Sequence, residues 1–131
     1  MKKIFVMVMC FALLLLDSCG SGGAGAEKGS YMSITAKEAK EIMETETDHI
    51  VLDVRTQEEF DEGHIPGAVL IPDYEIAERA EKELTDKDAL ILVYCRSGRR
   101  SKNAAQILAE LGYTNVKEFG GIIDWEYEIE V

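Results

Sequence analysis

Leu90 to Tyr94 is an apolar run of strand length that stops at Cys95, and from Ser101 the pattern turns helical, with Ala104, Ala105, Leu108 and Leu111 on one face. Cys95 therefore sits where a buried strand meets a helix N-terminus. In the six residues from Cys95 to Arg100, Gly98 tolerates the positive φ that lets backbone N–H groups curl around the sulfur. The helix N-terminus and the charges of Arg96, Arg99 and Arg100 favour the thiolate. The loop is thus expected to be an anion cradle with a thiol at its centre. An inert cysteine ending a strand has no use for a glycine and three cations.

Overall charge cannot explain that placement, because the chain carries 14 Lys+Arg against 25 Asp+Glu and yet has three of its five arginines in this loop. A length of 131 residues with 47% hydrophobic composition implies one globular domain. Its acidity disfavours nucleic acid as a partner, since phosphate contacts need an extended basic face. One small anion in one arginine-rich loop stays compatible with it.

The first residues stand apart. Lys2 and Lys3 form a basic n-region and Ile4 to Leu16 an unbroken apolar h-region, too short to span a bilayer comfortably and laid out like an export signal. Leu16-Asp17-Ser18-Cys19 resembles the lipobox of bacterial lipoproteins, with Asp17 departing from the small or apolar residue usual there. That resemblance makes Cys19 the lipidated mature N-terminus. It implies a protein anchored to a membrane, facing the periplasm, with no spanning helix. Ala24-Gly25-Ala26 offers an ordinary cleavage site that would instead release a soluble periplasmic or secreted protein. The division expected is an export signal over 1–18, a Gly/Ser-rich tether over 19–31 and a domain over 32–131. Losing residues 1–18 removes Lys2, Lys3 and Asp17, so the charge moves from −11 to −12.

With Cys10 in the signal and Cys19 at the lipid site, Cys95 alone is left in the domain, so neither an intradomain disulfide nor C-x-x-C redox chemistry is available. His49 and His64 are the only histidines, and no Cys/His cluster for a metal exists.

Within the domain, helices and strands alternate. Met32 to Ile34, Ile50 to Asp53, Val69 to Ile71, the run ending at Cys95 and Asn115 to Phe119 read as strands. Thr35 with Glu38, and Thr56 with Glu59, are capping boxes. They open one helix with Ala36, Ala39, Ile42 and Met43 on its apolar face and a shorter one anchored by a buried Phe60. Ile76 to Leu84 is weakly helical, and Gly112 closes the helix that follows the loop. Gly120-Gly121 reads as a sharp turn and Ile122 to Tyr127 as a final short helix carrying Trp125. The pattern predicts an α/β fold whose central, mostly parallel sheet of about five strands has helices on both faces, with the site beyond the carboxyl ends of the strands.

Three blocks resemble the single-domain rhodaneses, which are sulfurtransferases. The first is Val51-Leu52-Asp53-Val54-Arg55 with Glu58-Glu59-Phe60 and Gly63-His64-Ile65-Pro66-Gly67-Ala68, where Gln57 replaces a frequent proline. The second is Cys95-Arg96-Ser97-Gly98-Arg99-Arg100-Ser101, and the third is Gly120-Gly121 followed by Trp125. The resemblance implies that Cys95 takes a sulfur atom and holds it as a persulfide. Arg96, Ser97, Gly98, Arg99 and Arg100 would bind an anionic donor such as thiosulfate, and cyanide or a thiol would accept the sulfur. It implies no cofactor beyond that cysteine. Asp53 and Arg55 are expected to brace the loop as an ion pair, His64 to hydrogen-bond its own turn, Trp125 to pack the core, and the terminal acids to form a solvated end. Two rivals are a non-catalytic interaction module and a phosphatase or arsenate reductase. The latter chemistry is associated with Cys-x5-Arg, and here Arg100 comes one position early.

Overall fold

The computed structural model describes residues 29–131. The export signal, Cys10, the lipobox with Cys19, the alternative cleavage site and most of the tether lie outside the described residues. Five strands form one sheet: β1 (Met32–Ser33), β2 (Ile50–Asp53), β3 (Val69–Leu70), β4 (Ile91–Cys95) and β5 (Val116–Gly121). They are ordered β1-β5-β4-β2-β3, and every pairing is parallel. Between them run α1 (Ala36–Thr45), α2 (Gln57–Glu62), α3 (Ile76–Glu83) and α4 (Arg99–Glu110), so the expected α/β architecture is what the chain adopts.

The order places β4 at the centre, and its side chains alternate between two cores. Ile91, Val93 and Cys95 face the layer of α3 and α4, with Ile76, Ala80, Ala104, Ala105 and Leu108. Leu92 and Tyr94 face Ala39, Phe119 and Trp125, with Ile42 and Met43 of α1 packed alongside. Burial on both sides explains why this strand is continuously apolar. From β2 the chain moves outward to β3, and from β4 it moves the other way to β5. A crevice therefore opens beyond the carboxyl ends of β2 and β4, where Cys95 lies.

Both capping boxes form as read. Thr35 Oγ1 accepts from Glu38 N–H and Thr56 Oγ1 from Glu59 N–H, and each glutamate reaches back to its cap. Helix α4 ends in a Schellman motif, in which Gly112 at φ 103° donates to the Ala109 carbonyl and Tyr113 to that of Leu108.

Several boundaries differ from the sequence reading. Helix α4 begins at Arg99, two residues before Ser101, because Gly98 at φ 109° ends the loop and its carbonyl accepts from Lys102 N–H. Strand β5 continues through Gly120 and Gly121, and these glycines form a bulge in place of a turn. Val93 pairs with Glu118 but Cys95 with Gly121, so β5 has one residue more than β4 there, and Gly120 takes φ 89°. The final helix shrinks to a single 3₁₀ turn, Ile122–Asp124. Trp125 Nε1 donates to the Glu128 carbonyl, and the chain then runs back to pair Glu130 with His64 through two 2.8 Å backbone hydrogen bonds. The terminal acids Glu126, Glu128 and Glu130 are exposed, as read, while the Glu130 backbone ties the carboxyl end to His64. Phe60 is half-buried and stacks on the His64 ring at 3.7 Å. Trp125 packs in the α1-side core as expected.

The polar centre of that core is Asp53, fully buried at the end of β2. Tyr94 Oη donates to Asp53 Oδ2 at 2.6 Å and accepts from Ile65 N–H at 3.0 Å, joining β2, β4 and the turn before β3. Burial first, then the Asp53 carboxylate, pushes the Tyr94 phenol above its ordinary range, so it stays a donor. Tyr94→Phe leaves the Ile65 N–H without its acceptor and takes one donor from the carboxylate, which keeps Arg55. It should cost about 1–3 kcal/mol in urea unfolding, and a smaller loss would show that the network repacks around the missing hydroxyl.

Candidate active site

Cys95 ends β4 with its side chain 1% exposed. The Gly98 N–H donates to Sγ at 3.0 Å, and the thiol can donate to Ser101 Oγ at 3.5 Å. The loop from Arg96 to Gly98 closes over the sulfur from one side. The β5 backbone packs directly against that loop, so close that a Cβ at Gly121 would collide with the Arg96 carbonyl. Only glycine permits that approach, and the Ile123 N–H donates to the same carbonyl at 3.2 Å.

Arg96, Ser97, Arg99 and Arg100 line a cleft of about 530 Å³ together with Asp73 and Asn103. Arg99 and Arg100 occupy the first turn of α4, which holds no acidic residue. Cations there oppose the helix macrodipole, an arrangement that an anion bound in front of the helix would relieve. The three arginines are not equivalent. Arg100 Nη1 and Nη2 grip Glu59 Oε1 and Oε2 at 2.8 and 2.9 Å, a two-pronged pair spanning the crevice from α4 to α2. Arg96 and Arg99 are exposed, and among the described residues neither forms an ion pair. The hydrogen bonds from Arg100, opposed by burial, hold the Glu59 carboxyl at about 2, against its ordinary 4.5. The reciprocal bond to Glu59 raises the Arg100 guanidinium, with smaller contributions from Cys95 and Asp73.

Asp53 and Arg55 form the expected ion pair, Arg55 Nη2 to Asp53 Oδ2 at 2.7 Å and Nε to Oδ1 at 2.9 Å. Arg55 also donates to the Gly63 carbonyl, holding the turn that carries His64. His64 Nδ1 lies 2.9 Å from the Phe60 carbonyl, within its own segment, and Nε2 lies 3.3 Å from Glu130.

Four contributors were not legible as site residues. Glu59 reads as a cap alone, Tyr94 as an apolar strand residue and Gly121 as part of a turn. Glu118 reads only as a position within a strand. It is 1% exposed, and its Oε2 accepts from Ser101 Oγ at 2.7 Å and from Gly120 N–H at 2.8 Å. Its signal was present in the sequence: an acid inside a strand bounded by Val116 and Phe119 requires partners.

The chain matches the Rhodanese-like domain family over residues 35–128. It is 42% identical over 73 residues to thiosulfate sulfurtransferase PspE of Escherichia coli, a match covering 56% of this chain and 70% of that protein. It is 40% identical over 95 residues to putative sulfurtransferase YtwF of Bacillus subtilis, covering 72% and 90%. Among solved structures, a rhodanese with anions from E. coli superposes with a TM-score of 0.59 at 38% identity, covering 63% of this chain and 96% of that one.

The Arg100–Glu59 pair ties α4 to α2, and its pH dependence follows from the depressed Glu59 carboxyl. The stability it contributes is complete above about 4.5 and is lost as pH falls towards about 2. Glu59→Gln should therefore destabilise the fold by about 1–2 kcal/mol at pH 6, allowing for solvent screening of a half-buried pair. Chemical denaturation from pH 7 down to 2.5 should show the gap between wild type and variant closing. A gap that stays constant across that range would remove the ionic pair as its cause.

Proposed function

The chain belongs to the rhodanese-like family, and on that premise we propose that it is a sulfurtransferase working through a persulfide on Cys95. The observation that carries this reading is a cysteine held at a strand end by the Gly98 N–H, at the head of the segment whose Arg96, Arg99 and Arg100 line a cleft. The Cys95 thiolate attacks the outer sulfur of thiosulfate, the S–S bond of the donor breaks, and sulfite leaves with the electron pair. Cyanide or a thiolate then attacks the outer sulfur of the persulfide, and the Cys95 thiolate is regenerated. Arg96 and Arg99, which form no ion pair among the described residues, orient the sulfonate end of the donor, while Arg100 stays on Glu59. Ser97 and Gly98 complete the loop around the transferred sulfur, and Asp53, paired with Arg55, holds Tyr94, the residue before Cys95.

The burial of Cys95 favours this reading over the rivals. A sulfur only 1% exposed can be met by one protruding terminal atom, which a sulfane donor offers and a bulky phosphate ester does not. A purely non-catalytic scaffold would leave the thiol and its cations without purpose.

Intact-mass measurement should show that thiosulfate adds one sulfur to Cys95 and that cyanide removes it, whereas Cys95→Ser gains none and makes no thiocyanate. Arg96→Ala and Arg99→Ala should each raise the KM for thiosulfate about tenfold, the loss of one charge-assisted contact. Turnover in Cys95→Ser equal to wild type would sink the mechanism, and an unchanged KM in both arginine variants would sink the anion site.

Where this chemistry happens is proposed from residues 1–28 of the sequence. Acylation of Cys19 hangs the domain from a membrane in the periplasm, since buried acyl chains contribute about 0.8 kcal/mol per CH₂. Fractionation of a bacterial host expressing the full chain should find it in membranes with an acylated Cys19, and Cys19→Ala should lose that modification. A soluble wild-type product starting at Glu27 would favour cleavage after Ala26.

A further inference from the structure

Glu118 is a carboxylate placed in the interior of β5, where burial is costly unless every lone pair finds a donor. Its surroundings satisfy it from three elements. Gly120 N–H of β5 and Ser101 Oγ of α4 reach Oε2, while Ser33 Oγ of β1 at 3.4 Å and the half-exposed Lys102 of α4 at 3.5 Å reach Oε1. The same Ser101 hydroxyl lies 3.5 Å from Cys95 Sγ. A hydroxyl has one hydrogen. When it points to Glu118, the oxygen can accept only from the sulfur, and the chain reads thiol to hydroxyl to carboxylate.

We propose that Cys95, Ser101 and Glu118 form a proton relay in which the buried carboxylate takes up the thiol proton through the serine hydroxyl. The Cys95 S–H bond breaks as its proton forms a new O–H bond on Ser101. The original Ser101 hydrogen passes to Glu118 Oε2, giving a thiolate, an intact hydroxyl now donating to that thiolate, and a neutral carboxyl. No charge is created. One buried negative charge moves from Glu118 to Cys95, and the repulsion of two adjacent buried anions is avoided.

The groups facing each end are arranged for both states. Around the carboxylate stand Lys102, Ser33 and the Gly120 N–H. Around the sulfur stand the Gly98 N–H, the α4 N-terminus and Arg100, which is itself paired with Glu59 and faces Asp73. A thiol this buried meets little water to take its proton, so an internal acceptor answers a need that burial creates. Glu118 is then a positioning residue acting through Ser101, and Ser101 is the member that touches the reacting sulfur.

The proposal rests on Cys95 being the nucleophile, so its test reads thiolate formation without any sulfur donor: the rate of iodoacetamide alkylation of the full chain from pH 5 to 9, followed by intact mass. The relay gives wild type a nearly flat rate across pH 5.5–8, because moving a proton within the triad takes none from solvent. In Glu118→Gln the flat arm should disappear, and the rate should fall about tenfold for each pH unit below its midpoint. If Glu118 were only a nearby like charge, its removal would make the thiolate easier to form and alkylation faster across the range. That result, or an unchanged profile, overturns the relay. Should Glu118→Gln fail to fold, Ser101→Ala and Ser101→Thr decide the matter. Alanine should lose the flat arm and threonine, which keeps a hydroxyl, should retain it; equal profiles in the two overturn the proposal. Thiosulfate loading of the same wild-type sample separates the two readings, since a flat alkylation profile without sulfur uptake overturns the sulfurtransferase reading and leaves the relay standing.

Discussion

The contact on which the architecture turns is the 2.6 Å hydrogen bond from Tyr94 to the buried Asp53 carboxylate. It joins the two central strands at their carboxyl ends, one residue before Cys95. Arg55 neutralises the same carboxylate and reaches the Gly63 carbonyl, while Ile65 N–H donates to the tyrosine. Removing any one member leaves a buried donor, acceptor or charge without its partner, so the network is all or nothing. It fixes the height at which β4 ends, and therefore where the sulfur sits relative to the crevice.

A second polar assembly lies on the opposite face of the same strand end. Glu118, Ser101 and the Gly120 N–H lock β5 to the first turn of α4. The bulge at Gly120 brings Gly121 level with Cys95, against the Arg96 carbonyl. The loop is held between these two assemblies. Its rigidity matters for the proposed chemistry, because donors aimed in advance at a developing charge need no rearrangement when that charge appears.

Charge in the cleft is divided by geometry. Three arginines of one short loop look interchangeable in sequence, yet Arg100 is committed to Glu59 while Arg96 and Arg99 face the open cleft. The pairing ties α2 to α4, and the two arginines left out of it supply the positive charge that a protein of net charge −11 presents at one small site.

Whatever depends on local periodicity and short-range chemistry can be read from the chain's residues alone. The apolar run into Cys95, the two capping boxes, the Gly98 hinge and the Gly112 cap are local, because each is decided by a residue and its neighbours within about four positions. Alternation of strands and helices then implied the parallel sheet and put Cys95 at its carboxyl edge. Tertiary structure alone decided the strand order, the bulge that turned an apparent Gly-Gly turn into the end of β5, and the return of the carboxyl end to His64. It alone decided, too, that Glu59 would hold Arg100 and Glu118 would lie under Ser101, pairs that stand 41 and 17 residues apart in the chain. No local signal can announce such a pair, since a buried charge names its need for a partner but not which distant residue the sheet will bring to it.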